Sequence, residues 1–293
     1  MGPDAFSWQP HPDAWLLAVA LLGGYFYALS AWGPRYAAGN PASRRHRLYF
    51  VLGVVTVWLA TDWPLDLLAE QMFSVHMVQH LVYAFISAPL LILGTPGWLL
   101  RRLLSPRPVR AAWAVATKPL VALVFFNAWT AGYHWPWLVD LSVTNDLVHF
   151  GVHVVWIGAG LMLWWPVLSP LPEMGHLPYP TRMAYLFGAS IVPTVPASFL
   201  TFGETHFFQT YAATAPLWGL DPILDQQIGG LVMKVGGGLL IWGVILALFF
   251  RWHHEEETGG PDVLYWRDIA PAVEDTTDPD PHQDDSTGGH RRQ

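Results

Sequence analysis

MFSVHMVQHLVYAFISAPLLILGTP, residues 72–96, contains no Asp, Glu, Lys or Arg, yet it carries two histidines. A helix rises about 1.5 Å per residue, so a run of this length crosses a hydrocarbon layer roughly 30 Å thick. His76 and His80 are four positions apart, which on a helix sets both imidazoles on one face, about 6 Å apart along the axis and within reach of a shared metal ion. A second pair at the same spacing, His149 and His153 in HFGVH, lies in another apolar run. Ionisable side chains at membrane depth are costly, so each is by default a functional residue.

The rest of the chain agrees with a membrane reading. It has 293 residues, 53% of them hydrophobic and 13% charged, and a mean hydropathy of +0.30. Few soluble domains have that composition. Apolar stretches near 14–33, 47–62, 72–96, 117–134, 146–168, 183–203 and 226–251 predict an all-α, polytopic bundle of about seven transmembrane helices. Many of the 17 tryptophans lie near the ends of these stretches, where an amphipathic ring suits the headgroup layer. Asp4 and Asp13 precede the first stretch and no basic segment does, so it reads as a retained helix rather than a cleaved signal. Residues 1–252 form the bundle in this reading; 253–293, polar, acidic and rich in Pro, Gly and His, form a disordered tail.

Charge orients the bundle. Arg35, Arg44, Arg45 and Arg47 follow the first span, and Arg101, Arg102, Arg107, Arg110 and Lys118 follow the third. The alternate loops carry Asp62, Asp66 and Glu70, then Asp140 and Asp146, then Glu204, Asp221 and Asp225. The positive-inside rule then sets the N-terminus outside and the tail in the cytoplasm. Both histidine pairs fall near the outer face, with His134 just past the fourth span and Asp225 opening the seventh. Met233 lies two turns deeper, about 12 Å below Asp225.

Imidazole suits zinc, copper, iron and nickel, whereas thioether selects softer ions, so histidines with Met77 and Met233 nearby lean toward copper over zinc. There is no cysteine to offer a thiolate. A zinc-protease reading fails because Met77 and Phe150 stand where that motif needs a glutamate base. Neither a nucleophile-and-base set nor a phosphate-binding loop is visible, so no enzyme is expected; Gly236, Gly237 and Gly238 read as a helix-packing surface. Pro89, Pro193 and Pro196 predict kinks in the third and sixth spans. Other readings stay open. A single membrane histidine often serves as an interhelical hydrogen-bond donor, and methionine is a common core filler. Paired imidazoles from two helices also suit a b-type haem, and a metal-free scaffold needs no ligand at all. Lys234 in the last span invites comparison with retinal proteins, but Gly230 stands where those carry an aspartate.

Three blocks, HMVQHLVYAFISAPLLILGTP (76–96), NAWTAGYHWPWLVDLSVTNDLVHFGVHVVWIGAGLMLWWPVL (127–168) and DQQIGGLVMKVGGG (225–238), resemble the CtaG family of bacterial cytochrome c oxidase assembly proteins over about positions 50 to 250. The resemblance implies a multi-pass protein of the bacterial cell membrane that assists oxidase assembly and delivers copper to the CuB centre of the catalytic subunit. It implies His76, His80, His134, His149, His153, Asp225 and Met233 as the metal site, copper as Cu(I), and the oxidase catalytic subunit and extracytoplasmic copper donors as partners. No nucleic acid partner is expected. Asp225 is expected to orient a ligating imidazole. Lys234 departs from the apolar or aromatic residue that the resemblance leads one to expect, and is expected to snorkel outward or to pair with Asp225 or Glu204.

Overall fold

The computed structural model describes residues 11–37, 40–175, 177–214 and 217–258, and among them there are helices and no strands. The main helices are α1 (Pro12–Ala31), α2 (Arg44–Thr61), α3 (Leu65–Gln71), α4 (Phe73–Gly94), α5 (Arg107–Ala116), α6 (Pro119–Tyr133), α7 (Pro136–Thr144), α8 (Asp146–Leu168), α9 (Tyr179–Phe202) and α10 (Pro222–Thr258). Five of these, α1, α4, α8, α9 and α10, are long and apolar enough to cross a membrane singly. The count rises to 7 if the bent pairs α2 with α3 (43°) and α5 with α6 (72°) each make one span. The expectation of a seven-helix, all-α bundle therefore agrees with the structure.

Local sequence sets many of the helix starts. Pro12, Pro119, Pro136 and Pro222 stand in first turns, where the missing N–H costs nothing. Ser43, Asn145 and Asp221 cap α2, α8 and α10 by accepting backbone amides. Three short helices arise where the sequence reading placed loops. In α5, RPVRAAWAVA is rich in good helix formers and buries no residue, while α3 and α7 lie at the end of the bundle where Asp62, Asp66 and Asp140 gather.

α4 is the central element and packs against α2, α8 and α10; α9 packs on α6 and α10, and α1 on α2. Close approach depends on small residues. A Cβ on Gly160 of α8 would lie 2.8 Å from the Ala84 carbonyl oxygen, and one on Gly230 of α10 would lie 2.6 Å from the Thr201 amide nitrogen in α9. Gly236 and Gly237 pack against Leu81, while a Cβ on Gly238 would meet nothing within 4 Å. The packing role read for this triplet thus holds for two of its members.

Both α4 and α10 contain a π-helical turn, Val82–Ser87 and Val232–Gly236 respectively. The first ends two residues before Pro89, whose ring would crowd the carbonyl four residues back in a regular helix. The Ala84 carbonyl inside that turn accepts the Trp164 indole N–H at 2.8 Å. In α9, Pro193 and Pro196 are accommodated within one continuous helix.

The compact unit ends at Phe249. Residues 250–258 are helical, so the expected tail is helical at its start; residues 259–293 lie outside the described residues, as does His176.

Gly160→Leu is expected to destabilise the bundle by about 1–3 kcal/mol, the usual cost of forcing volume into a packed interface. Gly158→Ala, with nothing within 4 Å of the added carbon, is expected to keep or raise the melting temperature in detergent, since alanine is the better helix former.

Candidate metal centre

The i, i+4 spacing does what helix geometry demands. His76 and His80 present rings 4.3 Å apart on α4, and His149 and His153 present rings 4.2 Å apart on α8. Because α4 packs on α8, the two pairs face each other, His76 to His149 at 6.1 Å and His80 to His153 at 6.3 Å. His76, His80 and His153 are buried, at 1%, 4% and 6% exposed, while His149 is partly exposed, its side chain at 14%.

Hydrogen bonding fixes which nitrogen of His76 is free. Ser142 donates its hydroxyl proton to the Val139 carbonyl, so its oxygen can only accept from Tyr133, at 2.8 Å. Tyr133 has then used its proton, and its oxygen must accept from His76 Nε2, at 3.0 Å. The His76 Nδ1 lone pair is left over, with no partner among the described residues. Both ring nitrogens of His80 and Nε2 of His149 and His153 are likewise buried without a hydrogen bond. Buried polar atoms are rarely left so. A cluster of imidazole nitrogens with free valence is what a metal ion requires, since the ligand is the neutral ring's lone pair.

A carboxylate joins them, and it is Asp66. Its Oδ1 lies 3.9 Å from His149 Nε2, and Asp66, His149 and His153 offer ligand atoms all within 4.8 Å of one another. Gln79 donates to Asp66 Oδ1 at 2.7 Å and to the Ala60 carbonyl at 2.6 Å, which orients the acid. His11 Nε2 stands 3.9 Å from Asp66 Oδ2. Sequence reasoning treated Asp66 as one loop acid among several; its position in α3 next to α4 becomes visible only when α2 and α3 bend. His11 thereby also joins this group.

Asp225 has a different task from the one expected. Its Oδ2 accepts the Phe73 amide at 2.6 Å and its Oδ1 the Ser74 amide at 3.3 Å, with the Ser74 hydroxyl also donating to Oδ1. Those are the first amides of α4, whose N-cap residue, Met72, has no side-chain acceptor. Asp225 therefore caps α4 from another helix and contacts no imidazole in these hydrogen bonds. Lys234 pairs with neither Asp225 nor Glu204: its Nζ donates to Ser198 at 3.3 Å and lies 5.7 Å from the Phe202 ring centroid. It thus reaches along α9 toward the end where the carboxylates gather.

His134 and Met233 form a second group with Met77 and His80 around a cavity of about 140 Å³. His134 Nδ1 meets the Thr130 carbonyl at 2.6 Å and its Nε2 meets Met77 Sδ at 3.4 Å. Tyr83 and Trp156 wall the imidazoles, Tyr83 with its ring 4.8 Å from His153 and Trp156 stacked 4.6 Å from His80.

Comparison with known proteins bears on what this centre serves. A family model described as cytochrome c oxidase caa3 assembly factor matches residues 23–255. The uncharacterized protein Mb0105 of Mycobacterium bovis is 26% identical over 247 residues, covering 75% of this chain and 37% of its own. Protein MT0111 of Mycobacterium tuberculosis matches with the same figures, 26% and 247 residues. Protein ML1998 of Mycobacterium leprae is 23% identical over 262 residues, 83% of this chain and 39% of its own. The chain spans less than two fifths of the length of these curated relatives. No solved structure matches it.

Asp225→Ala, which strands buried amides at the start of α4, is expected to lower stability by about 1–3 kcal/mol. Thermal melts in detergent should show the loss, while metal content per folded molecule stays at the wild-type value.

Proposed function

The chain belongs to the family of cytochrome c oxidase caa3 assembly factors, and we propose that it serves assembly by carrying copper, as Cu(I), on its buried histidines to the CuB site of the oxidase catalytic subunit. The observation that carries this reading is the set of imidazole nitrogens at His76, His80, His149 and His153 that face one another with no hydrogen bond. Copper is here the cargo, and no catalytic step is required.

The donor set suits the task. Imidazole nitrogen suits borderline ions, copper among them, and the thioethers of Met77 and Met233 nearby favour copper over zinc. Tyr133, Ser142 and Gln79 hold the ligands in a fixed tautomer and rotamer, which raises affinity in metal sites by about 10–100-fold. The positive-inside rule supports an orientation in which the acidic end, with Asp62, Asp66 and Asp140, faces outward in the bacterial cell membrane. Extracytoplasmic donors would then load the site from the side where those carboxylates attract cations.

A haem in the same place is less favoured. Trp156 and Tyr83 lie against His80 and His153 where a macrocycle would need room.

Metal analysis of purified protein tests the proposal. Wild type is expected to hold copper, and His76→Ala/His80→Ala and His149→Ala/His153→Ala each to lose the equivalent held by the histidine cluster, with a parallel fall in oxidase activity of the membranes. Asp66→Asn, nearly the same shape, is expected to weaken copper at least tenfold in a chelator competition. Copper content unchanged in both histidine variants would overturn the site; normal oxidase assembly by variants without copper would leave a metal-free scaffold as the function.

A further inference from the structure

The cavity below the histidine cluster carries a chemical conflict at its wall. The Thr130 carbonyl can only accept a hydrogen bond, so His134 Nδ1, 2.6 Å away, carries the ring proton. In the neutral ring Nε2 is then a bare lone pair, and it points at Met77 Sδ from 3.4 Å. A thioether has no proton to offer. Two lone-pair donors thus face each other in a site where His134 is 8% and Met77 2% exposed. Protonating the ring would resolve the conflict only by burying a charge, which an apolar interior penalises heavily.

A soft cation resolves it without that cost. With metal–sulfur and metal–nitrogen bonds of about 2.3 and 2.0 Å, lengths typical of zinc sites, a 3.4 Å separation subtends about 105° at the metal. That angle suits trigonal or tetrahedral coordination. Met233, 8% exposed, and His80, with both nitrogens unbonded, line the same cavity, so its wall carries a second thioether and a second imidazole. Met233 is brought there by the π turn of α10, and the π turn of α4 begins two residues after His80. Such turns re-aim side chains at functional sites.

The cavity also has a direction. Its wall includes Ser190 and Thr194 of α9 and Lys234, Gly238 and Trp242 of α10, and these two helices pack mainly through the part of α10 before Gly237. Along this side Lys234 donates to Ser198, and Trp242 lies against Phe187, ring centroids 5.9 Å apart. Thr194, Lys234 and Trp242 are exposed on the flank of the bundle. A cation held here is presented sideways, toward a neighbouring membrane protein.

We propose that Met77, His134, Met233 and His80 form a second cation site, sulfur-containing and selective for Cu(I) over Zn(II), from which cargo leaves through the flank between α9 and α10. The proposal takes the identity of the cargo from the copper reading above. His80 belongs to both groups, its ring lying 4.3 Å from His76 and 6.3 Å from His153 while also lining the cavity. It can pass an ion from the imidazole and carboxylate cluster to the sulfur site.

X-ray absorption of full-length protein loaded anaerobically with Cu(I) reads the site directly. The chain has no cysteine, so a sulfur shell around copper can come only from methionine. Wild type and His149→Ala/His153→Ala are expected to show that shell. Met77→Leu/Met233→Leu, which keeps side-chain volume, is expected to lose it and to lose one Cu(I) equivalent against a Cu(I) chelator, with Zn(II) uptake unchanged. Copper bound through nitrogen alone in wild type overturns this second site and leaves the histidine cluster standing. Full copper content in both histidine double variants overturns the cluster, and the sulfur shell still decides the second site. Should the leucine variant fail to fold, the shell in the His149→Ala/His153→Ala protein decides alone.

Discussion

The amides that open α4 lie inside the bundle, preceded by an extended methionine that offers them nothing, and the Asp225 carboxylate comes from α10 to bind them. Within a bilayer a backbone or side-chain polar atom has no water to fall back on, so the protein must supply each partner itself. The same constraint accounts for the Trp164 indole on the Ala84 carbonyl within a π turn, and for the hydroxyls of Ser190, Thr194 and Ser198, which each bond a carbonyl of their own helix. Asp225 thereby joins α4 to α10, the two helices whose π turns stand beside the cavity.

Some buried polar atoms, including the indole nitrogens of Trp63, Trp113, Trp129 and Trp156, have no partner among the described residues, and the free nitrogens of His76, His80, His149 and His153 stand together between α4 and α8. Around them the polar contacts are orderly: a carbonyl fixes Ser142, Ser142 fixes Tyr133, and Tyr133 fixes the His76 tautomer. The proposed metal-carrying role would require such nitrogens to be kept and oriented, and Gln79 on Asp66 fixes the carboxylate in the same way.

Membership of the oxidase assembly family gives these side chains a context, and under the proposed function the two groups would differ in a way that suits transport. Imidazole with carboxylate accepts a broad set of ions, whereas imidazole with thioether discriminates for the softer one. An ion moving from the first group to the second would become more selectively held as it nears the flank of the bundle.

The helix count and the histidine pairs were legible because both are local: a membrane-length apolar run and an i, i+4 spacing read directly from helix rise and pitch. The convergence of His76, His80, His149 and His153 was legible too, since their matching depth in two spans needed only the packing of α4 against α8. The task of Asp225 was not, because a cap supplied by a helix 152 residues away leaves no pattern near either residue. Nor was the place of Asp66, which depends on a 43° bend between α2 and α3. Met77 against His134 depends on how three side chains rotate in a shared cavity. Sequence by itself determined the membrane bundle and the residues available for a metal; tertiary structure alone decided which carboxylate meets them and which thioethers join, because those contacts cross between helices whose register and bends arise only when the whole bundle packs.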